Sequence, residues 1–175
     1  GITGQIGNVR ASSSTAQTLV NADNDIQIFS PTAAHDVNLP TTSVASGRAF
    51  YIVNRGGYAL TIKSSGGNTV ITPSTGTVTN GVYLVRALQA APTTAAHWMI
   101  EGVYEIGTFT PVLKLGATSA SASTAIGSYV RNGREISFKG NLVLTNLNSG
   151  SGNITITALP FTSNSVAGNN GFVGI

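Results

Sequence analysis

Residues 135–145, EISFKGNLVLT, repeat with a period of two. Ile136, Phe138, Gly140, Leu142 and Leu144 share one face, while Glu135, Ser137, Lys139, Asn141 and Thr145 lie mostly on the other. Successive side chains of a strand point to opposite sides of its pleat, so this pattern suits a half-buried strand and no helix. The same alternation returns at 154–158 (ITITA), and no segment of useful length carries a 3.6-residue period. An all-β fold with little helix follows.

Upstream, short strands are predicted at 25–29, 36–39, 48–54, 58–63, 68–72, 82–88 and 96–101, punctuated by Gly56-Gly57, Gly66-Gly67 and Asn80-Gly81. Strands at this spacing predict two tandem small β-sandwich or barrel-like modules. Asn132-Gly133 suits the centre of a two-residue type I′ hairpin. That turn would pair Tyr129 with Ile136 and Gly127 with Phe138, whose ring would cover the strand glycine. A similar turn at Gly56-Gly57 would set Tyr51 opposite Ile62 and Val53 opposite Leu60. With Phe50 and Ile52 on its other face, strand 48–54 is expected to be central and covered on both sides.

Composition narrows the class further. Gly (21), Thr (22), Ser (18) and Asn (15) dominate, and only 9% of residues are charged, against about 25% in ordinary soluble domains. Thr suits pleated surfaces, and Gly, Asn and Ser suit tight turns. The surface is therefore solvated by hydroxyls and amides, while 41% hydrophobic content argues against disorder. The net charge of +3 comes from nine scattered Lys and Arg. No basic stripe is present, so nucleic acid is not an expected partner. Without cysteine there is no disulfide framework or thiolate site. No transmembrane segment or signal peptide is read, and membrane insertion is not expected.

Residues 1–16 read as a linker, with Gly1, Gly4 and Gly7 only hinting at a collagen-like period. An N-terminal β-module is expected over 17–104 and a C-terminal sandwich over 105–175, joined at GVYEIG (102–107). The chain begins at Gly1 rather than Met and is read as a piece of a longer protein.

Chemistry is sparse. His35 and His97 are far apart and there are six carboxylates, so neither a metal site nor a cofactor is expected. Asp23 and Asp25 would share a face if extended, the minimum for glycoside hydrolysis. However, NADND suits a polar turn in which Asp and Asn bond their own backbone. No nucleophile elbow or phosphate loop appears, and the protein is read as a non-enzyme. Trp98 suits a core or subunit interface.

From Glu105 the chain resembles a module of bacteriophage tail fibres and related virion appendages. The likeness rests on EIGTFTPVLKLG, GSYVRNGREISFKGNLVLT and GNITITALPFTSNS, in that order over about 65 residues. The first half resembles, less specifically, another such module, through LPTTSVASGRAFYIVNRGGYALTIKSSGG and AAHWMIEG. The LPF module normally continues for several strands, whereas this chain stops at Ile175. The resemblance implies a homotrimer on a virion tail or capsid, joined to other virion proteins and exposed to the medium. Its function would be structural support for attachment to host surface polysaccharide or protein. Candidate receptor contacts are Tyr58, the 148–153 turn (Asn148, Ser149, Asn153) and the 163–170 loop (Asn164, Asn169), because polar loops on a stiff frame commonly carry recognition. A bacterial surface carbohydrate-binding module or adhesin is the competing reading.

Overall fold

The computed structural model describes residues 8–10, 14–73 and 77–161. Strands β1 (Asn8–Val9), β2 (Gln17–Thr18), β3 (Ile26–Phe29), β4 (His35–Asn38), β5 (Ala49–Asn54) and β6 (Leu60–Lys63) alternate between two sheets. Within each sheet the successive strands pair in parallel. A chain that changes sheet at every strand and returns parallel to itself is a flattened coil, a short two-sheet β-solenoid. Asn8 lies beside Gln27 and Ile26 beside Tyr51, so one coil advances 19 residues (8 to 27) and the next 25 (26 to 51). Strand β7 (Thr69–Ile71) then pairs antiparallel with β6, and β8 (Thr77–Ala87) antiparallel with β5, which ends the coil.

Alternation along these strands builds the core. Phe29, Phe50, Ile52, Tyr83 and Val85 enter it from one sheet, and Val37, Leu60, Ile62 and Ile71 from the other, all at most 2% exposed. Trp98 joins them, its ring 6.3 Å from that of Phe50. The hairpin expected at Gly56-Gly57 is not formed. That segment is a solenoid corner, and Tyr51 and Val53 pair with Leu84 and Val82 of β8 rather than with Ile62 and Leu60. Buried Asn54 shapes the corner: its amide donates to the Tyr58 carbonyl at 2.8 Å and its carbonyl accepts from Gly56 N–H at 2.9 Å. A Cβ on Gly56 would lie 2.5 Å from Cδ of Pro31. Glycine is thus what lets one corner rest on the corner of the coil before it.

The larger sheet continues through β9 (Trp98–Phe109). After β9 come β10 (Val112–Leu115) and β11 (Thr118–Ser119), and then β12 (Ser121–Asn132) and β13 (Glu135–Asn146), which rejoin that sheet. Its order is β1-β3-β5-β8-β9-β12-β13, while β10, β11 and β14 (Ile154–Thr157) make a separate small sheet. The boundary expected between 104 and 105 falls inside β9, which pairs with β8 on one side and β12 on the other. The two halves therefore share one sheet. The segment read as a linker also contributes, since β1 pairs with β3 and Arg10 N–H donates to the Ile28 carbonyl at 2.8 Å. Residues 1–7 and 11–13 of that segment lie outside the described residues.

The hairpin between β12 and β13 forms one step away from its predicted register. Asn132 pairs with Glu135, Tyr129 with Phe138 and Gly127 with Gly140. Gly133 and Arg134 are the central residues, and only Gly133 is left-handed, at φ 61°. That is the pattern of a type II′ turn rather than I′. The ring that covers Gly127 belongs to Phe109, the residue beside it on β9, with atoms 2.3 Å from where a Cβ would stand. Phe138 instead packs edge-on against Phe109 at 6.0 Å. Among the described residues no helix is long and apolar enough to cross a membrane.

Candidate functional site

Strand β5 is central, as expected, but its two faces differ. Phe50 and Ile52 are buried, whereas Tyr51 points outward and is exposed. Its outward neighbours are apolar as well. Register places Ile28, Val53, Val82 and Tyr104 in one row, and Ile106 beside Val130 in the next. Tyr51, Val82, Tyr104, Ile106 and Val130 are each 36–43% exposed. The expectation that this strand is covered on both sides is thus corrected: no other described element covers the outer face. Five such side chains present on the order of 400 Å² of mainly apolar surface, the size at which a patch on a monomer commonly marks an interaction site.

This surface runs on into the β12–β13 pair. Strand β9 stops at Phe109, opposite Gly127, so residues 121–126 and 141–146 extend beyond it as a two-stranded arm. Ile126 is 64% exposed and Val143 47%, both on the outer face. Two adjoining grooves of about 360 and 410 Å³ lie along the pair and share Ser128 and Lys139. Ile106, Val130 and Phe138 line the first, and Ile126, Gly127 and Gly140 the second.

On the inner face, the row Asn54, Gly81, Glu105, Arg131 crosses from the solenoid to the hairpin. Glu105 is fully buried and accepts from the Tyr83 hydroxyl at 2.9 Å. Arg131 Nη1 lies 3.5 Å from the same carboxylate and donates to the Thr72 carbonyl at 2.9 Å, while its Nε donates to the Gly133 carbonyl at 3.1 Å. Burial first, and the Glu105 carboxylate second, push the Tyr83 hydroxyl well above the ordinary phenol range, so it stays a proton donor. This cluster fastens the hairpin to the solenoid.

The predicted contact residues do not converge. Tyr58 is exposed at the solenoid corner, four residues past Asn54 and so near the row of Glu105. Asn148 and Ser149 form a left-handed turn at φ 54° and 56° beyond the far end of the arm, and Asn153 precedes β14. Asn148 is fixed there by donating to the Ser119 carbonyl at 2.9 Å. Nine strand residues separate Ser121, at the arm's end, from Arg131, or roughly 30 Å. Asn164 and Asn169 lie outside the described residues.

The carboxylates considered for hydrolysis are both engaged. Asp23 pairs with Arg10 and accepts from Val20 N–H at 2.7 Å, and Asp25 pairs with Arg48. Both therefore brace turns of the coil. His35 is buried and His97 accepts at Nδ1 from Thr93 N–H at 3.1 Å, and among the described residues no three metal-binding side chains cluster. Sequence reasoning missed Glu105, whose only signal was an acidic residue in the middle of an alternating run. No family model, curated protein or solved structure matches the chain.

Proposed function

We propose that this chain is a structural segment of a bacteriophage tail or head fibre. It would act as a homotrimer on the virion, joined to other tail or capsid proteins, and support attachment to the host surface. The observation that carries this reading is the apolar outer face of a seven-stranded sheet that no described element covers, continued along an arm with no third described strand. A surface of that kind suits a protein built to assemble. The scarcity of charge and the close-packed coil agree with a part whose work is to hold a shape. Receptor contact, if it lies in this segment, falls to the Tyr58 corner or the 148–153 turn. They are too far apart to act as one site, so each would touch polysaccharide or protein separately.

Light scattering of the purified chain tests the reading. A particle of three times the chain's 17.8 kDa, stable to dilution and salt, is expected. A stable monomer would overturn it and favour the surface carbohydrate-binding module, for which exposed Tyr58 is the supporting observation. Glycan binding abolished by Tyr58→Ala would then be the result to seek.

A further inference from the structure

We infer that copies of this chain pack on one another through one continuous surface: the outer face that runs from Tyr51 and Val82, through Tyr104, Ile106 and Val130, to Ile126 and Val143 on the arm. This rests on the self-association proposed above and adds which surface performs it.

Three observations point to a second copy as the occupant. The first is the arm itself. Beyond Phe109 no third described strand pairs with it, and Ile126 and Val143 are exposed on one face and Leu144 on the other. A two-stranded ribbon of this kind is marginal in water and gains stability once another layer covers it. The second is area. A standard interface takes about 800 Å² from each partner. The body patch supplies on the order of 400 Å², so the body and the arm are needed together. The third is charge. On the outer face of β8, β9, β12 and β13 the described side chains charged at neutral pH are Arg86, Glu101, Glu135 and Lys139, two of each sign. Arg86 and Glu101 are already paired within the chain. Copies meeting on this face would not repel, and Lys139 of one could face Glu135 of the next. A foreign partner would be expected to find a face biased to one sign or carrying specific polar anchors.

The test compares the wild-type chain with Ile126→Thr/Val130→Thr by light scattering over a dilution series. Threonine keeps the β-propensity of both positions, so the strands should persist by circular dichroism. Association should weaken roughly 10-fold or more, since each copy loses two apolar contacts. Ile126→Asp, at the most exposed of these positions, should give a folded monomer. Tyr58→Ser, a change at an exposed aromatic of the solenoid corner, should leave the assembly intact. A wild-type oligomer whose mass survives both arm variants would overturn this surface while leaving the fibre reading standing. A wild-type monomer would overturn both, and a folded wild-type monomer that recruits a different virion protein through Ile126 would assign the face to that partner.

Discussion

Glu105 offers a quantitative test of how the hairpin is held to the solenoid. Its carboxylate is fully buried and receives the Tyr83 hydroxyl at 2.9 Å, while Arg131, about one-fifth exposed, stands 3.5 Å away. Glu105→Gln keeps an oxygen for Tyr83, removes the charge and turns an amide N–H donor towards Arg131 in place of an acceptor. Arg131 retains the Thr72 and Gly133 carbonyls and is partly solvated, so the cost should be about 1–3 kcal/mol. Glu105→Leu fills the space but strands a buried hydroxyl, at about 1–3 kcal/mol. Glu105→Ala adds a cavity and should cost about 3–4 kcal/mol. Combining Glu105→Leu with Tyr83→Phe removes both partners, so the pair should be less damaging than the sum of its parts by at least about 1 kcal/mol. Urea denaturation at one fixed chain concentration reads these three, the Tyr83→Phe single variant and the double variant, because any assembly makes stability concentration-dependent. Additive losses in the double variant, or Glu105→Ala within about 0.5 kcal/mol of wild type, would refute the argument.

Three further outcomes follow from the geometry. The raised Tyr83 hydroxyl means that above pH 10, the ordinary phenol value, the unfolded chain releases this proton while the native chain keeps it. Stability is then fully present below pH 10 and falls above it by about 1.4 kcal/mol per pH unit from this group. Tyr83→Phe should flatten the alkaline stability curve by that slope, and an unchanged slope would refute the assignment. Gly127→Ala drives a methyl into the Phe109 ring and should cost about 1–3 kcal/mol. The cost should shrink in a Phe109→Leu background, as read by melting temperature. Gly133→Ala at φ 61° should cost about 1 kcal/mol, and Asn132→Ala no more than about 0.5. Comparable losses at both positions would instead indicate the type I′ turn.

Local alternation was legible and long-range pairing was not. Strand 48–54 was found as Ala49–Asn54 and 135–145 as Glu135–Asn146, because a period of two is written in neighbouring residues. Parallel coils leave no such mark: the partner of Ile26 is Tyr51, and no turn signal announces a strand that returns 25 residues later. Gly56-Gly57 looked like a hairpin because its role depends on Pro31, which is adjacent only in the folded coil. Strand β9 was read only as far as Glu101, with 102–107 taken as a joint, because Gly102, Glu105 and Gly107 interrupt its apolar positions. Glu105 is nevertheless inward and matched by Tyr83, 22 residues away, and by Arg131, 26 residues away. The two apolar faces of β5 suggested cover on both sides, and only one is covered by the described chain. Of the candidate contacts, Asn148 and Ser149 lie on a turn as read, whereas Tyr58, read as opening strand 58–63, lies in the corner before Leu60, and nothing in their spacing revealed that the sheet separates them.

The shared sheet gives the molecule two perpendicular measures of length. Across the strands, each solenoid coil advances only about 4.8 Å and consumes 19 or 25 residues to do so. Along the strands, the twelve residues of β13 reach about 40 Å. Reach is therefore cheap in sequence along the hairpin, while the coil converts many residues into a short, stiff block. A descendant chain could gain span by lengthening the hairpin two residues at a time, which preserves the inward and outward sides. It could gain girth only by inserting a whole coil.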